Sequence, residues 1–345
     1  MRIVIATGIY PPEVGGPAYY AQGIAEAFKK SGHTVDVVTY GALKKFPSGI
    51  RHIAYALRLL PHMFSADVVI ALDTFSVAVP AAFVSRLFRK AFIIRTGGDF
   101  LWESYVERTG ELIPLPHFYE KPRAFTFKER MILSLTKYAL RKAEVVFSTD
   151  MQRDAWSAPY ALDRACTHII GNAVEPQLPA QKPTTKNYLW HVRPNAIKNA
   201  AHVHAAFSKA KEKHSDITLE EGTMPKNELL ERMKNCYAVI LPSLTEISPN
   251  YILDALRFHK PFIMDKYSGL ASWLGQYGIL VDPLDEDDIA GAISLLADDR
   301  GYEEAQEKAA VFSYVRTYED VVREYLPLIR MGTSLEKSPK IGTVR

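Results

Sequence analysis

Two carboxylates, Glu246 and Asp254, stand on either side of Ser248-Pro249-Asn250 in the stretch TEISPNYILDA (245–255), which follows the apolar run YAVILPS. An ionised carboxylate only accepts hydrogen bonds, so its natural partners are donors such as the hydroxyls of a sugar or ribose diol. Ser248 reads as a helix N-cap with Pro249 as the first helical residue. The N–H groups of Asn250 and Tyr251 would then be free to receive a phosphate. A plainer reading has Asp254 favouring the helix N-terminal dipole and Glu246 merely solvated. A second cluster lies in HVRPNAIKN (191–199), where Arg193 and Lys198 precede a helix. Two cations suit a diphosphate, although two bases on a surface loop are common. A third is GIYPPEVGGPAYY (8–20), in which Gly15-Gly16 lets the backbone turn tightly and approach a ligand. Pro17 would open the helix behind, whose N–H groups form an anion site. Alone, this is equally an ordinary strand-to-helix turn. Together the three clusters are the parts needed to hold a diphosphate with a sugar on each side.

The elements that must position these residues alternate in period from the start, as in a parallel α/β sheet. RIVIATG (2–8), HTVDVVTY (33–40), DVVIAL (67–72), AFIIRTG (91–97), EVVFST (144–149) and HIIGNAV (168–174) read as strands. Helices are expected at 18–32 and 127–142. After a linker rich in Pro, Gln, Thr and Lys the pattern restarts with NYLWHV, ITLEE, YAVILPS, KPFIMD and GILVDP. Only one helix, 226–235, separates ITLEE from YAVILPS. The expected organisation is an N-terminal domain over 1–175, completed by a returning helix at 312–330. A C-terminal domain covers 176–311 and a frayed tail 331–345. Ligands of open α/β sheets bind outside the strand C-terminal ends, which makes a cleft between two such domains the default site.

Bulk properties narrow the function. The chain has 345 residues, 48% of them hydrophobic and 23% charged, which suits two globular domains rather than disorder. Its net charge of +3 is too small to argue for nucleic acid. Residues 1–176 carry 21 basic and 16 acidic groups, and residues 177–345 carry 21 and 23. The mildly basic first half fits an anionic ligand or an anionic membrane surface. Two cysteines give neither a disulfide framework nor metal-ligand spacing, which suits a reducing cytosol. The apolar stretch TFSVAVPAAFVS is too short to span a bilayer, and the N-terminus lacks the features of a signal peptide. The acids DEDD (285–288) and DDR (298–300) read as ordinary helix starts, and the histidines lack ligand spacing. The basic amphipathic segment 127–142 reads either as a packed surface helix or as a peripheral contact for anionic lipid.

The ordered set YPPEVGGPAYYAQGIAEAFKKSGHTVDVVT, IIGNAVE, RPNAIKN, PSLTEISPNYILDALRFHKPFI and GILVDPLDEDDIAGAISLLADD resembles glycosyltransferase family 4, and the similarity covers nearly the whole chain. The resemblance implies the GT-B fold: two Rossmann-like doubly wound domains facing a central cleft, with the C-terminal helix crossing back to the first. It implies a cytoplasmic, retaining, metal-independent enzyme that moves a sugar from a nucleotide-diphosphate sugar to a glycan, lipid or small-molecule acceptor, with no cofactor. By the same resemblance, Arg193 and Lys198 neutralise the diphosphate, Glu246 lies by the donor sugar and Asp254 holds the ribose. Gly15 and Gly16 close on the phosphates, and Ser248, Pro249, Asn250 and Tyr251 form the donor-side helix end. Asp99 is a catalytic candidate, and Tyr10, Trp102 and Glu103 are candidates beside the acceptor. Three departures stand out. Gly98-Asp99 replaces the family's His-Asp, the donor half is short, and Asp254 replaces a glutamate. These leave two other readings, a catalytically silent nucleotide-sugar-binding protein and another GT-B reaction such as sugar-nucleotide epimerisation.

Overall fold

The computed structural model describes residues 1–13 and 15–337. The chain divides into two compact units. The first comprises Met1–Leu101, Ala124–Ala173 and the segment from Thr317 onward; the second comprises Trp102–Arg123 and Val174–Arg316.

The first unit is built on six parallel strands: β1 (Arg2–Thr7), β2 (Thr34–Thr39), β3 (Val68–Ala71), β4 (Ala91–Thr96), β5 (Glu144–Phe147) and β6 (Thr167–Ile169). Their order is β2-β1-β3-β4-β5-β6, with Ile3 beside both Val35 and Val68. Every residue of β3 and β4 is buried, which explains why these strands read as continuous apolar runs rather than alternating ones. The last helix, Tyr318–Lys337, packs back onto this unit. Its Val321, Val322, Tyr325 and Ile329 share a core with Ile24 and Phe28 of the helix Gly16–Lys30. The hydroxyls of Tyr20 and Tyr325 lie 3.0 Å apart. Gly23 makes the close approach possible, since a Cβ there would fall 2.3 Å from the Tyr318 ring. The sequence reading ends this helix at 330 and begins a tail at 331. The helix instead continues to Lys337, through Gly332-Thr333-Ser334; the rest of the expected tail, 338–345, lies outside the described residues.

The second unit carries five parallel strands: β7 (Lys186–His191), β8 (Ile217–Gly222), β9 (Ala238–Leu241), β10 (Phe262–Asp265) and β11 (Ile279–Val281), in the order β11-β10-β9-β7-β8. A single helix, Lys226–Asn235, lies between β8 and β9 in the chain, so this half is short as the sequence indicates. The segment Trp102–Arg123, assigned to the first domain by sequence, belongs here. The Leu115 N–H donates to Thr245 Oγ1 at 2.9 Å, and the Ala196 N–H donates to the Glu107 carboxylate at 2.9 Å.

In both sheets the first strand lies one in from an edge. Chain connections run to one side of it (β1 to β2, β7 to β8) and then return to the other (β3, β9). These reversals are topological switch points, where a crevice opens at the strand C-terminal ends. No described helix is long and apolar enough to cross a membrane.

Candidate functional site

At the switch point of the second unit, the loop after β7 closes in a short 3-10 turn, Ala196–Lys198. Asn199 follows in the left-handed conformation (φ 63°), which asparagine tolerates better than most residues. Its buried side-chain amide donates to the carbonyls of Pro242 (3.1 Å) and Pro283 (2.5 Å), joining the loops after β7, β9 and β11. The Leu244 N–H donates to the Ile197 carbonyl at 2.8 Å and fastens the same loops again. This scaffold presents the Lys198 ammonium to Glu246 Oε1 in an ion pair, while Ser243 Oγ donates to that same oxygen at 2.6 Å. The backbone of Glu246 is held at both ends. Its N–H donates to Asp265 Oδ2 at 3.3 Å, and its carbonyl accepts from the Gly269 N–H at 2.8 Å.

Asp265 is the part of this cluster that the sequence reading passes over. It ends β10, is 0% exposed, and its Oδ1 has no hydrogen-bond partner. Burial, reinforced by the negative charge of Glu246, pushes its carboxyl well above the ordinary range. The available signal was an acid closing an otherwise apolar strand at its C-terminal end. Arg193 lies in the same loop as Lys198 but is exposed and forms no ion pair with the described residues.

The helix Asn250–Arg257 departs from expectation at its start. Its cap is Pro249 (φ −75°, ψ 80°) rather than Ser248, and the Asn250 N–H donates to the Ser248 carbonyl at 2.9 Å. Ser248 therefore stands one residue before the cap, and its carbonyl engages the Asn250 N–H. Tyr251 is an anchor: its hydroxyl accepts from the His191 N–H at 3.0 Å, and burial raises the phenol well above its usual range. Asp254 sits in a different ion cluster from Glu246. One oxygen meets Arg257 Nη1 at 2.9 Å and the other Lys226 Nζ at 3.6 Å, while Arg257 also pairs with Glu175 at 2.8 Å. Despite these cations, burial raises the Asp254 carboxyl.

At the first unit's switch point, Gly15 adopts φ 151° and its carbonyl accepts from the N–H groups of Ala18 and Tyr19. The helix begins at Gly16, so Pro17 is its second residue, not its first. Tyr10 packs half-buried on the core, its N–H turned to the Glu13 carboxylate at 3.4 Å. From the neighbouring loop after β3 comes Asp73, again absent from the sequence reading. Asp73 Oδ1 accepts from the N–H groups of Phe75 (3.1 Å), Val77 (2.9 Å) and Ala78 (3.2 Å). Burial raises its carboxyl to about 6. The loop after β1 passes close by, since a Cβ on Gly8 would lie 3.8 Å from Asp73 Oδ2.

Residues 195–299 match the family model described as glycosyl transferases group 1. The chain has the GT-B fold, and the family match is confined to its second unit. The match includes Lys198, Glu246, Asp254 and Asp265 and begins just after Arg193. Among solved structures, sucrose-phosphate synthase from Thermosynechococcus elongatus aligns with TM-score 0.69 at 14% identity, over 97% of this chain and 99% of that one. Anabaena HepE in complex with UDP and glucose gives 0.63 at 14% identity, over 96% and 97%. WaaG, a glycosyltransferase of lipopolysaccharide biosynthesis, gives 0.64 at 12% identity, over 98% and 100%. No curated protein matches the sequence.

Within this GT-B chain two sequence candidates turn out to be interior. Asp99 is 0% exposed and its Oδ2 accepts from the Trp156 indole N–H at 2.6 Å. Trp102 is 1% exposed and donates to the Ile113 carbonyl at 2.7 Å. Each satisfies a buried polar group, which leaves Trp102 no surface to offer an acceptor. Glu103 is half-buried in the first turn of the helix Phe100–Thr109. Among the described residues, no group of three or more His, Cys, Asp or Glu is placed to hold a metal ion. Asp285 and Asp298 cap their own helices.

Proposed function

We propose that this protein is a retaining glycosyltransferase that transfers a sugar from a nucleotide-diphosphate sugar to a glycan, lipid or small-molecule acceptor. The observation that carries the reading is the Lys198–Glu246–Asp265 cluster at the β7/β9 switch point, inside the segment that matches the group 1 family model. A half-buried lysine ammonium, with exposed Arg193 in the same loop, supplies positive charge where a diphosphate leaving group would develop its negative charge. Glu246 supplies an acceptor for sugar hydroxyls, oriented through its own backbone. Catalysis is then electrostatic: the leaving phosphate takes the acceptor's proton, and no side chain forms a covalent intermediate. The first unit takes the acceptor.

HepE is solved with UDP and glucose, which makes UDP the first nucleotide to test. A thermal-shift screen with UDP, GDP, ADP and their sugars should show stabilisation by one nucleotide class, with slow hydrolysis of the matching donor. Absence of a shift with all of them would overturn the proposal. A second reading, a nucleotide-sugar-binding protein without turnover, is favoured by Gly98 in the place of the family's histidine and by the buried Asp99. Stabilisation by a nucleotide sugar, with neither hydrolysis nor transfer, would select it.

A further inference from the structure

Six of the exposed large apolar residues of the first unit lie in one short stretch and in the element beside it. The helix Ser48–Met63 has two apolar faces. Tyr55, Leu59 and Met63 are buried, and the Tyr55 hydroxyl donates to the Val38 carbonyl of β2 at 2.7 Å. On the opposite side, at about 100° per residue, Ile50 (57% exposed), Ile53 (67%) and Leu57 (61%) form a stripe that Phe64 (78%) continues past the helix end. The helix Ala78–Leu87 packs against this one and exposes Phe83 and Leu87; the helix Phe127–Leu140 packs in turn against Ala78–Leu87 and exposes Phe127 and Met131. Rings bridge the row: Phe64 meets Phe88 edge-to-face at 5.2 Å, and Phe83 stacks on Tyr138 at 4.7 Å.

The charges on these segments have one sign. Residues 41–66, 78–90 and 124–143 hold twelve lysines and arginines and a single acid, Glu129. Glu129 is buried in a capping box with Thr126. Acids from neighbouring elements are already engaged: Glu13 pairs with Lys44, and Asp36 pairs with Arg2 and lies 3.5 Å from His62. A soluble face would mix signs and avoid a contiguous apolar stripe.

We propose that this face of the first unit, centred on Ile50, Ile53, Leu57 and Phe64, docks on an anionic lipid surface. The apolar stripe enters the headgroup–acyl boundary, and the exposed Lys45, Arg58, Arg86 and Arg89 meet lipid phosphates. At 16 residues the helix is shorter than the ~20 needed to span a bilayer, so it lies in the surface. An acidic protein partner would satisfy the cations but would not call for an outward row of Ile, Leu and Phe. The placement extends the lipid contact read from sequence at 127–142 to three neighbouring helices and moves its centre to 48–63. It does not depend on the sugar-transfer reading.

The test is vesicle co-sedimentation of the full chain with phosphatidylcholine alone and with phosphatidylcholine carrying about 30% phosphatidylglycerol, in the range where lysines and arginines near the surface each add to attraction. The expected result is sedimentation with the mixed vesicles only. Ile53→Asp/Leu57→Asp and, separately, Lys45→Glu/Arg86→Glu should each reduce the bound fraction about ten-fold. Unchanged circular dichroism and unchanged nucleotide-induced thermal shift would show that the fold and the second unit are intact. Equal binding by wild type and the Ile53/Leu57 variant, or no binding to either vesicle, would overturn the proposal. So would displacement from vesicles by a short RNA, which would mark the face as a polyanion site.

Discussion

The two switch points share a topology and differ in chemistry. In the second unit the ends of β7, β9 and β10 converge on a cation, a carboxylate and a buried carboxyl: Lys198, Glu246 and Asp265. In the first unit the loops after β1 and β3 offer backbone, glycine and two carboxyls: Glu13, paired with Lys44, and Asp73, whose Oδ1 caps the N–H groups of its own loop. The same strand order thus fixes where a ligand binds but leaves its chemistry to a few loop residues.

The largest expected effect breaks the charged side of this comparison. Lys198→Ala and Glu246→Ala should each lower transfer by roughly 10²–10³-fold or more, the cost of removing a group aimed at developing charge. Near-normal turnover in either variant would remove the distinction between the two crevices. Next comes Asp265, whose part is positional. Asp265→Asn keeps an acceptor for the Glu246 N–H, so its kcat should stay within about ten-fold of wild type; Asp265→Leu should lose up to about 100-fold, the order that leaving one buried donor unsatisfied implies. Equal loss in both variants would show that the carboxyl's proton or charge matters directly. Arg193→Ala should raise the donor KM by about ten-fold with melting temperature unchanged, since an exposed arginine adds one charge-assisted bond.

The smallest effect concerns the first unit and is a pH dependence. Burial raises the Asp73 carboxyl to about 6, against ~3.9 in an unfolded chain. A raised carboxyl favours the folded state fully below the unfolded value, and that contribution is lost as pH rises through the folded value. The melting temperature of wild type relative to Asp73→Asn should therefore fall between about pH 4 and 6 and level off above 7. A flat difference across that range would mean that Asp73 is solvated like an ordinary loop acid.

Much of the fold was legible because buried parallel strands are written as short runs of Val, Ile and Ala, such as RIVIAT and AVIL. Lys198 and Glu246 were legible because they follow such runs directly, and the structure joins them in one ion pair. What stayed hidden depends on three-dimensional neighbours. Asp265 looks like the polar end of a strand until Glu246 is seen beside it. Asp99 and Trp102 look like cleft residues, yet each closes a buried hydrogen bond to a distant partner, Trp156 and Ile113. Asp254 sits one helical turn past Asn250, and only the folded chain shows Arg257 and Lys226 holding it. The helix Ser48–Met63 is apolar on both sides, so periodicity alone does not say which stripe is buried.

The central claim is that a nucleoside diphosphate binds at the β7/β9 switch point through Lys198. Isothermal titration of the nucleoside diphosphate that gives the largest thermal shift, into wild type, Lys198→Ala and Gly15→Ala, tests it directly. The account predicts a loss of at least about ten-fold in affinity for Lys198→Ala, corresponding to roughly 1.4 kcal/mol, and a smaller loss for Gly15→Ala. Unchanged affinity in Lys198→Ala together with a large loss in Gly15→Ala would place the nucleotide in the first unit and contradict the account.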